Sequence, residues 1–453
     1  MKPFHLSLSL FASALLFAGT VSHESTGASL VVYNAGIGLF HDARKITLDA
    51  GKETVRFPNV ADSIVADSVT ARFPDGARLR TQRYRFDPVS LFALLKAHIG
   101  KAVKIRTKED GNRYAVKPAT LLSFDGRQCI VKSSEGALFA VPADTVIFDS
   151  VPDTMITSPS LLWEIESARA ISGTFSVDYL LKKITWKSDY ILTLGEHRAD
   201  LTGLATVDNR SGKRYEKIKL ALLAGEIGRT KEPSRPMPYQ AMKTAAAGYE
   251  AAISPAALQG YYLYPVPFPV TIADNEKVQI KFLEERNLRF TRKFETRLNN
   301  PVYLNRNVKH AVAQQLVFDG FEAPLPAGVV RTYSTVQDVS VLLGEVPVSH
   351  TPKHQKLTLA IGADFDTAVN EMLIERNDEK SYLDVTVAYE VSNRGNTAKQ
   401  IEMLVPFTRR GKQQSSVSTR QPYSWKDGNT LLFQVKVDAD SKQRFEVRYR
   451  SKK

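Results

Sequence analysis

The sequence predicts an all-β protein: antiparallel β-sandwich domains of immunoglobulin-like kind, with a small SH3-like or Sm-like barrel preceded by one short helix. Three observations carry this. Apolar and polar residues alternate with the two-residue period of half-buried strands along most of the 453 residues. Turn residues punctuate the alternation at short intervals. Regular helices between the strands are missing from the pattern, which argues against the strand–helix alternation of a doubly wound α/β sheet.

Taken in order, the chain opens with "MKPFHLSLSLFASALLFAGTVSHESTGAS". Lys2, the apolar run from Leu6 to Ala18 and the small residues after it read as a secretory signal peptide, residues 1–22, with cleavage after Ser22 or alternatively after Ala28. The run is shorter than the roughly 20 residues a membrane span needs, and no later segment approaches one. No cysteine lies near for lipid attachment.

An N-terminal β segment follows over 29–86. Residues 87–152 then form the barrel module. In "FDPVSLFALLKAHIGK" Asp87 reads as the helix N-cap, Pro88 as the first helical position and Gly100 as the stop. Short strands follow, with "DG" at 125–126 and "EG" at 135–136 as hairpin turns.

Residues 153–308 read as the first sandwich domain, with strands such as "TFSVDYLL" and "EKIKLALLAGE" and the turn "NRSG" at 209–212. Within it, residues 227–260 are rich in proline, small residues and charge, and read as a mobile linker with a short helix around 239–252. Residues 309–453 form the C-terminal sandwich. In "SYLDVTVAYEVSN" Leu383, Val385, Val387, Tyr389 and Val391 share one face, opposite Asp384, Thr386 and Glu390.

Composition narrows the function classes. Cys129 is the only cysteine, so no intrachain disulfide and no cysteine-based zinc cluster can form. Cys129 itself reads as a small buried hydrophobe. The formal net charge of +13 is dispersed along the chain without a long polybasic run. Such a surface fits solvation, and with export it argues against nucleic acid as a partner.

Motifs for catalysis are missing. There is no GxxxxGK(S/T) phosphate loop and no GxSxG elbow, and "GIGLFH" carries His41 where a dinucleotide fingerprint needs its third glycine. His350 and His354 stand four apart in "VSHTPKHQK", but Pro352 between them forbids a shared helical face. They stay weak metal candidates, with Glu345 or Asp364 as a further ligand. Asp364 with Asp366, and Glu284 with Glu285, are the paired carboxylates a glycosidase would require.

"GYYLYPVPFPVTIADNE", residues 260–276, is the one aromatic comb. Tyr261, Tyr262, Tyr264 and Phe268 could stack against a sugar. Prolines 265, 267 and 269 hold the chain extended and withhold backbone donors, the chemistry of an edge strand, and this structural reading outweighs the ligand one.

That segment, continued by "KVQIKFLEE", resembles the signature of the domain-of-unknown-function 4139 family, mucoidy-inhibitor-like exported bacterial β-proteins. "YLLKKITWKSDYILTL", "ADLTGLATVDNRSGKRYEKIKLALLAGEI", "APLPAGVVRTYS", "LLGEVPVSHTPKHQKLTLAIGADFD" and "VVYNAGIGLFHDARKITL" resemble its other blocks, so the likeness covers nearly all of the mature chain. Leu204 stands where the family's usual tryptophan would be, and the barrel segment replaces a coiled coil found in longer relatives. The resemblance implies a β-rich exported protein and supplies no catalytic residue.

The expectation is therefore a periplasmic or secreted cell-envelope protein that binds or scaffolds without catalysing. It needs no cofactor, and its partner is an envelope protein or a glycan. The alternatives are a metal-assisted or carboxylate-based hydrolase of envelope polymers, and a glycan-binding protein that uses the tyrosine strand.

Overall fold

A computed structural model describes residues 20–108, 113–225, 256–258, 261–408 and 415–453. Most of them are strand, with one α-helix among them, and no helix there is long and apolar enough to cross a membrane. The signal peptide up to residue 19 and the 239–252 helix expected in the linker lie outside the described residues. Ala256–Leu258 is a strand, antiparallel to Tyr261–Leu263. The first described strand, Thr20–Tyr33, contains both candidate cleavage positions.

The chain divides into two compact units that are not consecutive stretches. One runs up to Trp186 and includes Asp208–Leu223 and Pro265–Val278; the other comprises Lys187–Val207, Ala224–Tyr264 and Gln279–Lys453.

In the first unit, strand Ile37–Leu48 lies between Thr20–Tyr33 and Ile171–Lys182 and is antiparallel to both. Residues Ser29–Tyr33 pair on their other side with Lys219–Leu223, and this pairing is parallel. A second sheet places Ser160–Ser167 between Gly51–Pro58 and Ala77–Arg85. The two sheets close over an aromatic cluster. Trp163 meets Phe57 at 5.6 Å and Phe175 at 5.7 Å between ring centroids, and its indole donates to Gln82 Oε1 at 2.9 Å. Edge-to-face contacts of this kind add about 0.5–1.5 kcal/mol each to the burial of the rings.

The barrel module belongs to this unit. Its strands run in the order Val146–Ile147, Ala102–Lys108, Tyr114–Phe124, Gln128–Ser133, Leu138–Pro142, all antiparallel, with a 3₁₀ turn at Ala143–Thr145 returning the chain. This is the small barrel that the sequence predicts. Leu95 of the helix packs with Val103, Ile105, Leu121, Cys129 and Val131 inside it. Gly126 and Gly136 take the positive φ, +107° and +92°, that their hairpin turns require.

The helix starts later than expected, at Leu91–Ala97, with Ser90 as N-cap accepting from Ala93 N. Asp87 is engaged elsewhere: its carboxylate accepts from Ile156 N at 2.9 Å and Arg85 Nε at 3.1 Å, tying the chain before the module to the chain after it. A side chain so bound cannot also cap the helix.

The second unit contains a nine-stranded sheet and the larger part of a five-stranded one, Glu276–Arg289, Arg198–Asn209, Ile184–Leu194, Gly328–Val336, Val339–Val348. The nine-stranded sheet runs Ser415–Thr419, Ser441–Lys452, Tyr382–Asn393, Leu357–Asp378, Val308–Phe318, Thr291–Arg297, Lys399–Pro406, Thr430–Val437, Tyr423–Asp427. It curls on itself, so that Tyr389 from one half meets Phe433 from the other at 6.3 Å. Tyr389 and Tyr449 join hydroxyls at 3.0 Å within that core.

The sheets are mixed rather than purely antiparallel. Ser188–Leu194 runs parallel to Gly328–Ser334, and Phe294–Arg297 parallel to Ile401–Leu404, besides the parallel pair in the first unit. The face of Tyr382–Asn393 expected to be polar is also partly covered. Asp384 is 5% exposed because Arg448 and Arg450, two strand neighbours, close over it at 3.0–3.1 Å.

Candidate functional site

The aromatic comb resolves into parts with different roles. Tyr264 is buried at 1% exposure, its ring edge-on to Phe282 at 5.4 Å and its hydroxyl donating to the Pro324 carbonyl at 2.9 Å. Burial pushes its pKa far above the usual tyrosine range. It is a core residue of the second unit. Tyr261 and Tyr262 are half-buried in the same strand, Tyr261 against Gly225. Phe268 is half exposed and belongs to the first unit.

The histidines do not converge. His350 Nδ1 accepts from Ala327 N at 3.2 Å, and His354 takes a left-handed backbone, φ +56°, with its N–H on Phe321 O. Their expected co-ligands are engaged: Glu345 with Arg331 at 2.6 Å, Asp364 with Lys399 at 2.5 Å and with Thr367. Among the described residues no three His, Cys, Asp or Glu gather in a metal-holding group.

Glu284 and Glu285 are likewise committed. Glu284 bonds Lys281 at 2.8 Å and Arg286 at 2.6 Å, while Glu285 caps Ala323 N at 2.9 Å. Neighbours on a strand point to opposite faces, so these two do not oppose one another across a substrate.

On the first unit's sheet Ser29, His41 and Asp178 stand in register on three adjacent strands. His41 Nδ1 bonds Asp178 Oδ1 at 2.6 Å, and Arg72 pairs with the same carboxylate. The hydrogen bond to Asp178 raises the His41 pKa against the opposing effect of partial burial. The order resembles a nucleophile, base and acid. Ser29 makes no side-chain hydrogen bond, however, and the ladders on both sides of these strands consume the backbone N–H groups that would stabilise an oxyanion. The row is an ion-pair ladder.

A cavity of about 1120 Å³ in the first unit is a built site. Strand Ile37–Leu48 supplies its floor. Phe40, Asp42, Arg44, Ile46 and Leu48 all occupy the buried phase of this strand, so two charges stand where apolar residues would be expected. Asp42 is 2% and Arg44 8% exposed. Arg44 directs Nε, at 3.0 Å, and Nη2, at 2.8 Å, to Asp42 Oδ2, and its guanidinium lies over Phe57 at 4.2 Å from the ring centroid. Asp42 Oδ1 is buried without a hydrogen-bond partner.

The turn 209–212 delivers the third charge. Asn209 Oδ1 accepts from Ser211 N and Oγ, while Nδ2 donates to Lys213 O at 2.8 Å and Ala273 O at 2.9 Å. Gly212 takes φ +78°, and its N–H donates to Asp274. Lys213, so fixed, runs inward past Phe40 and Tyr215, with Nζ at 5.5 and 5.9 Å from their ring centroids, and donates to the Asn59 carbonyl. Burial and the nearby Arg44 lower its pKa to about 8, against the opposing pull of Asp42. Glu24–Ala28 of the first strand close another wall.

Motif reading missed these residues, yet a signal was present. In "FHDARKITL" an acid and a base two apart, in phase with Phe40, Ile46 and Leu48, announce a charged pair on a core face. No protein-family model matches the chain, and no curated protein matches it in sequence.

Proposed function

We propose that the protein is an exported cell-envelope protein that works by binding rather than by catalysis, with the cavity beside Lys213 as its ligand site. One observation carries this reading: the cavity is walled by two buried charges, Asp42 and Arg44, and the half-buried Lys213, placed by a strand phase and a clamped turn, whereas His350, Glu284, Glu285 and Asp364 are spent in local bonds. Burying charge is costly, and a pocket with a few convergent polar groups on an apolar wall is the usual form of a ligand site. The N-terminal Lys2-to-Ala18 pattern and the resemblance to exported β-proteins support the compartment.

The test is a fragment screen by protein-observed NMR on the mature chain. The expected result is a set of hits, neutral ones included, shifting the amides of Phe40, Gly212 and Tyr215, and lost when Ile218→Trp narrows the cavity. Turnover of ester, peptide or glycoside substrates that disappears on one histidine or carboxylate substitution would overturn the reading. N-terminal sequencing of protein recovered from the periplasm checks the export half.

A further inference from the structure

Arg44 and Lys213 both line the cavity, but their charges are balanced unequally. Arg44 has a carboxylate partner, Asp42, which takes two of its donors and leaves Nη1 unspent there. Lys213 has only a neutral carbonyl, that of Asn59, and no described carboxylate forms an ion pair with it. Asp42, already bonded to Arg44, acts on Lys213 only through space, and a half-buried ammonium with no anion in contact is an incomplete arrangement, because one carbonyl replaces little of its lost hydration. The two aromatic rings beside it offer weaker, face-on attraction. At the rim Arg214, Lys217 and Lys219 outnumber Glu24 and Glu216, so the field around the cavity also favours an anion.

Resting on the binding role above, we propose that the cavity holds an oxyanion, a carboxylate or phosphate group of its ligand, gripped by the Lys213 ammonium and the Arg44 guanidinium. The apolar wall of Phe40, Tyr215 and Ile218 then receives the part of the ligand attached to it. An anion at this place raises the lowered pKa of Lys213. Binding at pH 8 is therefore accompanied by proton uptake.

The experiment is calorimetric titration of the mature chain at low ionic strength with sulfate, phosphate, succinate and the neutral probe erythritol. Sulfate carries no titrating proton near pH 8, so the dependence of its binding heat on buffer ionisation reads proton uptake by the protein alone. Lys213→Met is expected to weaken anion binding about tenfold or more and to abolish the uptake, while Lys213→Arg retains binding. Circular dichroism and thermal melts confirm that both variants fold. Phosphate binding without succinate assigns a phosphate ligand, the reverse a carboxylate, and binding of both the shared oxyanion.

Erythritol binding as tightly as the anions, anion binding unchanged in Lys213→Met, or no anion binding at all would overturn the oxyanion. The neutral fragments and the Ile218→Trp control would still report whether the cavity binds anything, so the two readings fail separately.

Discussion

At position 213 burial and function pull in opposite directions, and pH separates them. The Lys213 pKa is about 8 in the folded chain, against about 10.4 in an unfolded one. Between these values the unfolded state holds more protons, so stability rises with pH across that window; below it the full cost of the buried charge is present. Lys213→Met lacks this term. We expect the melting temperature of the wild type to rise relative to that of Lys213→Met from about pH 7.5 to pH 10, with the variant at least as stable at pH 7. Parallel pH profiles for the two proteins would refute it. Tyr264 supplies a second test at this scale. Tyr264→Phe removes the hydrogen bond to Pro324 O and leaves that carbonyl unsatisfied, for a loss of about 1–2 kcal/mol in chemical denaturation. Tyr264→Ala adds a cavity and costs about 3–5 kcal/mol.

Elements were legible where their signal is local. Alternation marks Tyr382–Asn393 and Ile37–Leu48 because a strand with one core face must repeat every second residue. The helix start was misplaced by three residues because Asp87 and Ser90 are both good caps. The distant Ile156 backbone, together with Arg85, takes Asp87, and that long-range bond is not written in the local sequence. The parallel pairings were not legible, since nothing in Ser29–Tyr33 specifies Lys219–Leu223 as a neighbour. The cavity was half legible: the phase of Asp42 and Arg44 stands in the sequence, but that Lys213 joins them depends on how the Asn209 turn is docked. The parallel step in the second unit makes its own prediction. A methyl group added at Gly328 would lie 2.6 Å from Ser188 Oγ and closer still to that residue's carbonyl. Because both neighbours are backbone or tightly bonded, Gly328→Ala is expected to destabilise by about 1–3 kcal/mol, read as a lower denaturant midpoint.

For the molecule as a whole, no intrachain disulfide adds to the packing, hydrogen bonds and ion pairs that hold the fold. Its single cysteine, Cys129, is fully buried in the barrel core, where burial raises the thiol pKa. Reducing agent should therefore leave the unfolding midpoints unchanged, and a thiol-reactive dye should label Cys129 only as the barrel unfolds. Rapid labelling of the native protein would show that the barrel core is open.

The parallel contact of Ser29–Tyr33 with Lys219–Leu223 also bears on how the chain acquires its fold. This early segment cannot complete its sheet until nearly two hundred further residues have followed, and loop closure over that distance is slow. Until then its apolar Leu30 and Val32 have only the hairpin with Ile37–Leu48 to shelter them. A chain of this kind keeps one edge of its first sheet open through most of its synthesis, and that sheet is completed only when residues 219–223 have been made.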